Sequence, residues 1–88
     1  MNKEDTKKNF ELANEFSFYV LKHPEVVEGV GRRASIVMIK PNDKRLIQKN
    51  LELARTLKQE RRVVYLASQI GNSWKVTRFK NERARTHR

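Results

Sequence analysis

The sequence has no cysteine, and it is poor in the residue patterns that build catalytic and metal sites. Without thiols the chain can form neither disulfides nor thiolate metal sites. Its two histidines, His23 and His87, are far apart in the sequence, and without cysteine they do not make a metal site. We therefore expect no metal and no cofactor. Because no triad or paired-carboxylate motif is present either, we expect no enzymatic activity.

Long apolar segments are also missing. The run IVMI at residues 36–39 is far too short to cross a bilayer. The first five residues include Lys3, Glu4 and Asp5 and do not form the apolar region of a signal peptide. The sequence therefore predicts a soluble cytoplasmic protein without membrane association.

Acidic residues are scarce after residue 31. Residues 32–88 hold sixteen of the 20 Lys and Arg residues but only four of the 10 Asp and Glu residues. The net charge of +10 makes self-repulsion a cost that a folded domain does not require. The imbalance therefore predicts an anionic partner, for which nucleic acid is the most common choice.

Hydrophobic periodicity predicts one small domain over residues 1–80, in the order helix, strand, helix, strand, strand. The expected helices cover residues 3–22 and 43–60. The first is capped by Asn2 and ended by Pro24, and the second is capped near Asp43. The expected strands cover residues 34–40, 62–68 and 74–80. Residues 81–88 lack apolar content and are expected to form a flexible basic tail.

The connections between the strands predict the topology. The segment between the first two strands is long enough for a crossover helix, so these strands should be parallel. A turn at Gly71 and Asn72 should return the third strand antiparallel to the second. The expected class is α/β, bordering on α+β, with a small mixed three-stranded sheet and two helices on one face. Because residues 36–39 are apolar on both sides of the first strand, one bare face would favour a homodimer, through sheet faces or helices.

A six-residue pattern recurs in the two predicted helices. Residues 8–13 read KNFELA, and residues 49–54 read KNLELA. In each helix the asparagine projects near the middle of the apolar face, so we expect Asn9 and Asn50 to be buried and hydrogen-bonded. The repeat fits either an ancient α-β duplication with the helices side by side or a chance similarity between two amphipathic helices.

Three segments carry a resemblance to known proteins: NFELANEFSFYVLKHPE at 9–25, the strand, Asn-Asp break and NLELAR helix at 35–55, and VVYL at 63–66. Together they resemble a family of short prokaryotic α/β proteins of uncharacterised function, associated with toxin–antitoxin-like gene neighbourhoods. The resemblance covers residues 8–67 and implies the α-β-α-β architecture, but no activity and no site residues. Residues 72–88 lie outside it and are candidates for the part specific to this member.

Basic residues near the strand ends form the candidate nucleic-acid-binding surface. Arg32-Arg33 and Arg61-Arg62 each precede a predicted strand, so parallel strands would bring four guanidinium groups to one sheet edge. The third strand and the tail add further cations, with Trp74 as the candidate for stacking on unpaired bases. The full set is Arg32, Arg33, Arg61, Arg62, Trp74, Lys75, Arg78, Lys80, Arg83 and Arg85.

Two other cations, Lys44 and Arg45, lie at the opposite end of the predicted strands. They occupy the first turn of the second helix, where the helix dipole disfavours cations unless an anion is near. They would not join the arginine patch.

The basic surface is compatible with more than one function. The flanking arginines could merely keep apolar strands from aggregating, and Trp74 and Phe79 could both pack under the helices. The absence of a helix-turn-helix or zinc-finger pattern favours RNA or single strands over sequence-read duplex DNA. The main hypothesis is a non-enzymatic nucleic-acid-binding protein. The alternative is a protein-interaction module, antitoxin-like or an adaptor, that docks an acidic partner.

Overall fold

The computed structural model describes residues 2–80, and all five predicted elements are present there. The helices are α1 (Lys3–Lys22) and α2 (Lys44–Gln59). The strands are β1 (Ser35–Ile39), β2 (Val64–Ile70) and β3 (Ser73–Arg78), and a 3₁₀ turn (Pro24–Val27) follows α1. The predicted tail at 81–88 lies outside the described residues. Within residues 2–80, no helix is both long and apolar enough to cross a membrane.

Side-chain caps begin both helices where the sequence predicts. The Asn2 side chain accepts a hydrogen bond from the Asp5 backbone N–H at 2.8 Å. The Asp43 carboxylate accepts one from the Leu46 N–H at 3.1 Å. These bonds satisfy backbone donors that have no partner within a first helical turn.

The sheet is mixed, in the order β1-β2-β3. Strands β1 and β2 are parallel, with Ser35 beside Val64, and β3 returns antiparallel to β2, with Tyr65 beside Arg78. Gly71 has a φ of 59° in the two-residue turn between β2 and β3, which is the backbone a type II′ hairpin turn needs at its first central position. The predicted α-β-α-β-β order and mixed sheet are confirmed, in an α+β arrangement.

The larger part of the core lies between α1 and one face of the sheet. Leu12 and Phe16 of α1 pack there with Ala67 and Trp74. The Phe16 and Trp74 rings meet edge to face, with their centroids 5.2 Å apart. Such pairs contribute beyond the area that they bury, so this contact anchors α1 on the hairpin.

Helix α2 follows the outer edge of β1. Leu46 joins the core under α1, whereas Ala54 packs with Val37 and Val64 on the opposite face. The expected placement of two helices on one face thus describes α1 and the start of α2, while the end of α2 covers the other face. Helix α2 is held beside the strand edge because the outward Met38 carbonyl of β1 needs a hydrogen-bond donor. The Asn50 amide of α2 donates to it at 2.8 Å.

Coverage by α2 also accounts for the two-sided apolar pattern of β1. Val37 is buried under Ala54, and Ile36 and Met38 pack on the face that α1 covers. The sheet face at Val37 is therefore not bare, and a bare face there is the basis of the homodimer expectation.

Candidate nucleic-acid interface

Exposed cations gather at the end of the sheet where β1 and β2 begin and β3 finishes. Two backbone hydrogen bonds join the three segments there: Ser35 N–H to the Val63 carbonyl, and Phe79 N–H to the Val64 carbonyl, each at 2.9 Å. The chain segments before β1, before β2 and after β3 therefore meet. We call this surface the basic end, and its exposed cations are Arg33, Arg61, Arg62, Arg78 and Lys80.

A cavity of about 660 Å³ opens at the basic end. Three arginines, Arg33, Arg61 and Arg62, line it together with the apolar Ala34 and Val63. The arginines come from two chain segments on either side of β1 and α2, and the parallel pairing of β1 with β2 brings them together. Arg32 is exposed next to Arg33 but does not line the cavity.

The end of α2 sets the position of two of these arginines. The Arg61 N–H donates to the Lys58 carbonyl at 3.0 Å, and the Arg62 N–H donates to the Leu57 carbonyl at 3.1 Å. This is the Schellman arrangement, in which the first residue past the helix adopts a left-handed backbone and is most often glycine. Arg61 takes that conformation here, with a φ of 65°. An arginine therefore occupies a position where a Cβ is sterically unfavourable.

Little negative charge compensates these cations within residues 2–80. The Arg62 Nε lies 3.7 Å from the Glu60 Oε1, and both side chains are more than half exposed. Such an exposed pair is weak, because water screens it. The negative end of the α2 dipole also favours cations here, which would account for part of the cluster without any ligand.

Other predicted site residues lie elsewhere. Trp74 is only 6% exposed and packs against Phe16, so the prediction that it stacks on bases is wrong. Strand alternation places Trp74 on the face under α1. Lys75 is exposed on the opposite face, beside Ser68 and away from the basic end. Arg83 and Arg85 lie outside the described residues.

Sequence reasoning missed Tyr65, an aromatic residue at the basic end. Tyr65 is half-buried, belongs to neither core cluster and lies beside Arg78 on the same face of the sheet. The signal was available in the sequence. A two-residue turn at Gly71 and Asn72 fixes the hairpin register, and that register pairs position 65 with position 78.

The opposite end of β1 carries charges that are paired. Arg45 donates to the buried Asp5 carboxylate at 2.7 Å, and Lys8 donates to Asp43 at 3.0 Å. Asp5 is the anion that a cation in the first turn of α2 requires. We call this region the paired end. Its members are Asp5, Lys8, Asp43 and Arg45, together with the mutually hydrogen-bonded Asn9 and Asn50.

These contacts shift the titration of three groups at the paired end. The Leu46 N–H and the Lys8 ammonium hold the pKa of Asp43 below its ordinary value. The hydrogen bond to Asp43 raises the pKa of Lys8, and the hydrogen bond to Asp5 raises the pKa of Arg45. Each shift stabilises the charged form of the group, so the ion pairs persist at neutral pH.

Metal chemistry has no visible support in the described part of the chain. Among residues 2–80, no group of three or more His, Cys, Asp or Glu side chains comes together in a way that could hold a metal ion.

Comparison with known proteins supplies a family without a function. A family model described as a family of unknown function, DUF5647, matches residues 4–78. The resemblance to an uncharacterised family is thereby confirmed. The match runs through β3, so the expectation that residues 72–78 lie outside the shared pattern is wrong. No curated protein and no solved structure matches the chain.

Proposed function

This chain belongs to the DUF5647 family, whose function is unknown, and we propose that it binds single-stranded nucleic acid, RNA in the first place, through its basic end. The observation that carries the proposal is the convergence of Arg33, Arg61 and Arg62 on one cavity. A guanidinium group is always charged and donates two parallel hydrogen bonds to phosphate oxygens. A cluster of three is therefore suited to a phosphate-bearing ligand.

The conformation of Arg61 supports a functional role for this cluster. A non-glycine residue in the left-handed region costs stability, and such strain concentrates at binding and catalytic sites. Glycine would satisfy the same helix end without the Cβ penalty. An arginine at this position is accounted for if its side chain contributes to binding.

The shape of the site favours an unpaired strand over a duplex. A cavity of about 660 Å³ lies within the range of small-molecule sites, which is the scale of a nucleotide. Unpaired nucleotides can turn into such a cavity, whereas paired bases are held in a stack. Tyr65 and Arg78 lie side by side at the same end, where an aromatic ring and a cation can contact a base and its phosphate.

The test is a titration of the full chain with fluorescently labelled oligouridine, followed by anisotropy over a series of salt concentrations. The informative variant is Arg61→Glu/Arg62→Glu. Its matched control is Lys44→Glu/Lys49→Glu, which changes the net charge equally at exposed positions of α2 away from the cavity. We expect the cavity variant to lose about tenfold or more in affinity. The slope of its log binding constant against log salt concentration should become shallower by about 1.4. Each of the two removed arginines accounts for roughly 0.7 of that change, because each no longer neutralises a phosphate. The control should lose much less.

Three outcomes would contradict the proposal. Equal losses in the two variants would mean that binding follows net charge and not the cavity. A second arm uses a glutamate-rich peptide and a duplex DNA of equal length. Selective binding of the peptide would favour the adaptor alternative, and tighter binding of the duplex would overturn the preference for single strands.

A further inference from the structure

Helix α1 carries a second apolar stripe, on the side that faces solvent. Phe10, Phe18 and Leu21 are 67%, 69% and 78% exposed. Two small or polar residues, Asn14 and Ser17, lie between them and are also exposed. Positions 10, 14, 17 and 21 alternate in steps of four and three, which is the seam of two helices packed along their length. We call these five residues the outer stripe.

We propose that the outer stripe is the surface on which a second copy of this chain docks, with the two α1 helices antiparallel about a two-fold axis. The stripe is self-complementary in that direction. It places Phe10 opposite the partner's Leu21 and Asn14 opposite the partner's Ser17. A two-fold dimer requires such a patch, because the same surface must serve on both copies.

Charge favours a second copy over other occupants. Helix α1 holds four basic and four acidic residues, so it is neutral in a chain whose net charge is +10. Two equally charged molecules repel least where their surfaces are neutral, and a neutral apolar stripe offers nothing to an anionic strand. The proposal is therefore independent of the function proposed for the basic end.

Charge also favours the antiparallel direction. Before the outer stripe, residues 3–8 hold three lysines and two acidic residues, a net charge of +1; after it, residues 22–28 hold one lysine and two glutamates, a net charge of −1. An antiparallel pair brings the basic start of each stripe toward the acidic finish of the other. A parallel pair would place like charges together, which is unfavourable at close range. At the centre, the amide of Asn14 can hydrogen-bond the hydroxyl of the partner's Ser17, and a polar pair of this kind fixes register.

The size of the stripe predicts a weak dimer. A phenylalanine side chain buries roughly 150–250 Å², so the stripe stays below the ~800 Å² per partner of a standard stable interface. We therefore expect association in the micromolar range or weaker.

Sedimentation velocity of the full chain from micromolar to millimolar concentration tests the interface. Leu21→Glu should raise the dimer dissociation constant about tenfold or more, because a charge in an apolar contact must be desolvated. Ile70→Glu is the matched control, since Ile70 is also exposed, at 56%, but lies outside the stripe. A chain that stays monomeric at millimolar concentration overturns the proposal. So does a dimer that Leu21→Glu leaves intact.

Cysteine cross-linking tests the direction, because the sequence has no cysteine of its own. Asn14→Cys and Ser17→Cys chains are mixed and oxidised, and the disulfide-linked species are weighed by mass spectrometry. The antiparallel arrangement predicts mainly mixed disulfides between the two variants. A predominance of disulfides between identical chains would indicate parallel helices and contradict the proposed geometry.

Discussion

The two ends of β1 differ in how their charges are paired. At the paired end, Arg45 contacts Asp5 and Lys8 contacts Asp43. At the basic end, three arginines line one cavity, and within residues 2–80 only Glu60 provides an ion-pair partner. Neighbouring elements account for the first set of charges. They account only in part for the second, because Arg33 and Arg61 have no ion-pair partner within residues 2–80.

The paired end is chiefly a device for orienting α1. Asp5 is fully buried, and its Oδ2 has no hydrogen-bond partner within residues 2–80. Burying a carboxylate is costly, so the contact with Arg45 compensates for burial more than it adds net stability. What the contacts provide is position, since they fix the start of α1 against the start of α2. The comparison therefore predicts that changes at the paired end affect folding, and that changes at the basic end affect binding.

The largest expected effect on folding comes from Asn50→Leu. Asn50 is buried and connects the Met38 carbonyl with Asn9. Leucine would remove the Asn50 amide from both contacts, which should lower the free energy of unfolding by about 1–3 kcal/mol. Urea denaturation measures the change, with the exposed Gln48→Leu on the same helix as control. A loss below about 0.5 kcal/mol would mean that the asparagine pair has no structural role.

A smaller effect of opposite sign is expected from Arg61→Gly. Relief of the left-handed strain, less the extra backbone freedom of unfolded glycine, should raise the free energy of unfolding by about 0.5–1 kcal/mol. The same change should weaken oligouridine binding, because it removes a guanidinium from the cavity.

The matched control for that variant is Arg55→Gly, which removes the same charge from the middle of α2. It should destabilise the fold by about 1 kcal/mol, since glycine disfavours a helix interior. If Arg61→Gly is more stable and binds as tightly as the parent, the strain at Arg61 is unrelated to binding and the contrast between the two ends fails.

The smallest expected effect is that of Asp43→Asn, which keeps a good N-cap but removes the negative charge. The pKa of Asp43 is lowered by folding, so its charge stabilises the protein above the unfolded value of about 3.9, and this contribution is lost as pH falls through the folded pKa. The stability advantage of the parent over Asp43→Asn should therefore be constant near neutral pH and disappear in acid. Thermal unfolding over that pH range measures it. An advantage that persists at the lowest pH would show that the charge of Asp43 is not its source.

The sequence predicts the elements of this fold more closely than their arrangement. Periodicity and caps place both helices to within a residue. The repeated asparagine pattern predicts that Asn9 and Asn50 are buried and hydrogen-bonded; Asn50 is buried and Asn9 only partly so, and their bonding to each other is a finding of the structure. The second strand begins at Val64 and not at residue 62, because the Schellman turn at the end of α2 uses Arg61 and Arg62. Such turns are hard to predict when the left-handed position is not a glycine.

The candidate site is less predictable, because alternation says which residues share a face but not which face is covered. Trp74 and Tyr65 lie on the same side of the hairpin, yet α1 covers Trp74 and leaves Tyr65 at the basic end. Hydrophobic periodicity likewise does not predict that α2 lies along the edge of β1. This placement follows from the packing of Leu46 and Ala54 on opposite faces of the sheet and from the hydrogen bond of the Asn50 amide to the Met38 carbonyl.

The two-residue turn at Gly71 and Asn72 ties the conservation of the core to the conservation of the basic end. Its length fixes every pair along the hairpin, from Ile70 with Ser73 to Tyr65 with Arg78. A one-residue insertion there would shift the register and turn the side chains of β3 to the other face. The same insertion would therefore separate Arg78 from Tyr65 and move Trp74 out of the core. Purifying selection for a stable core would therefore also preserve the layout of the basic end, whatever the function of that end.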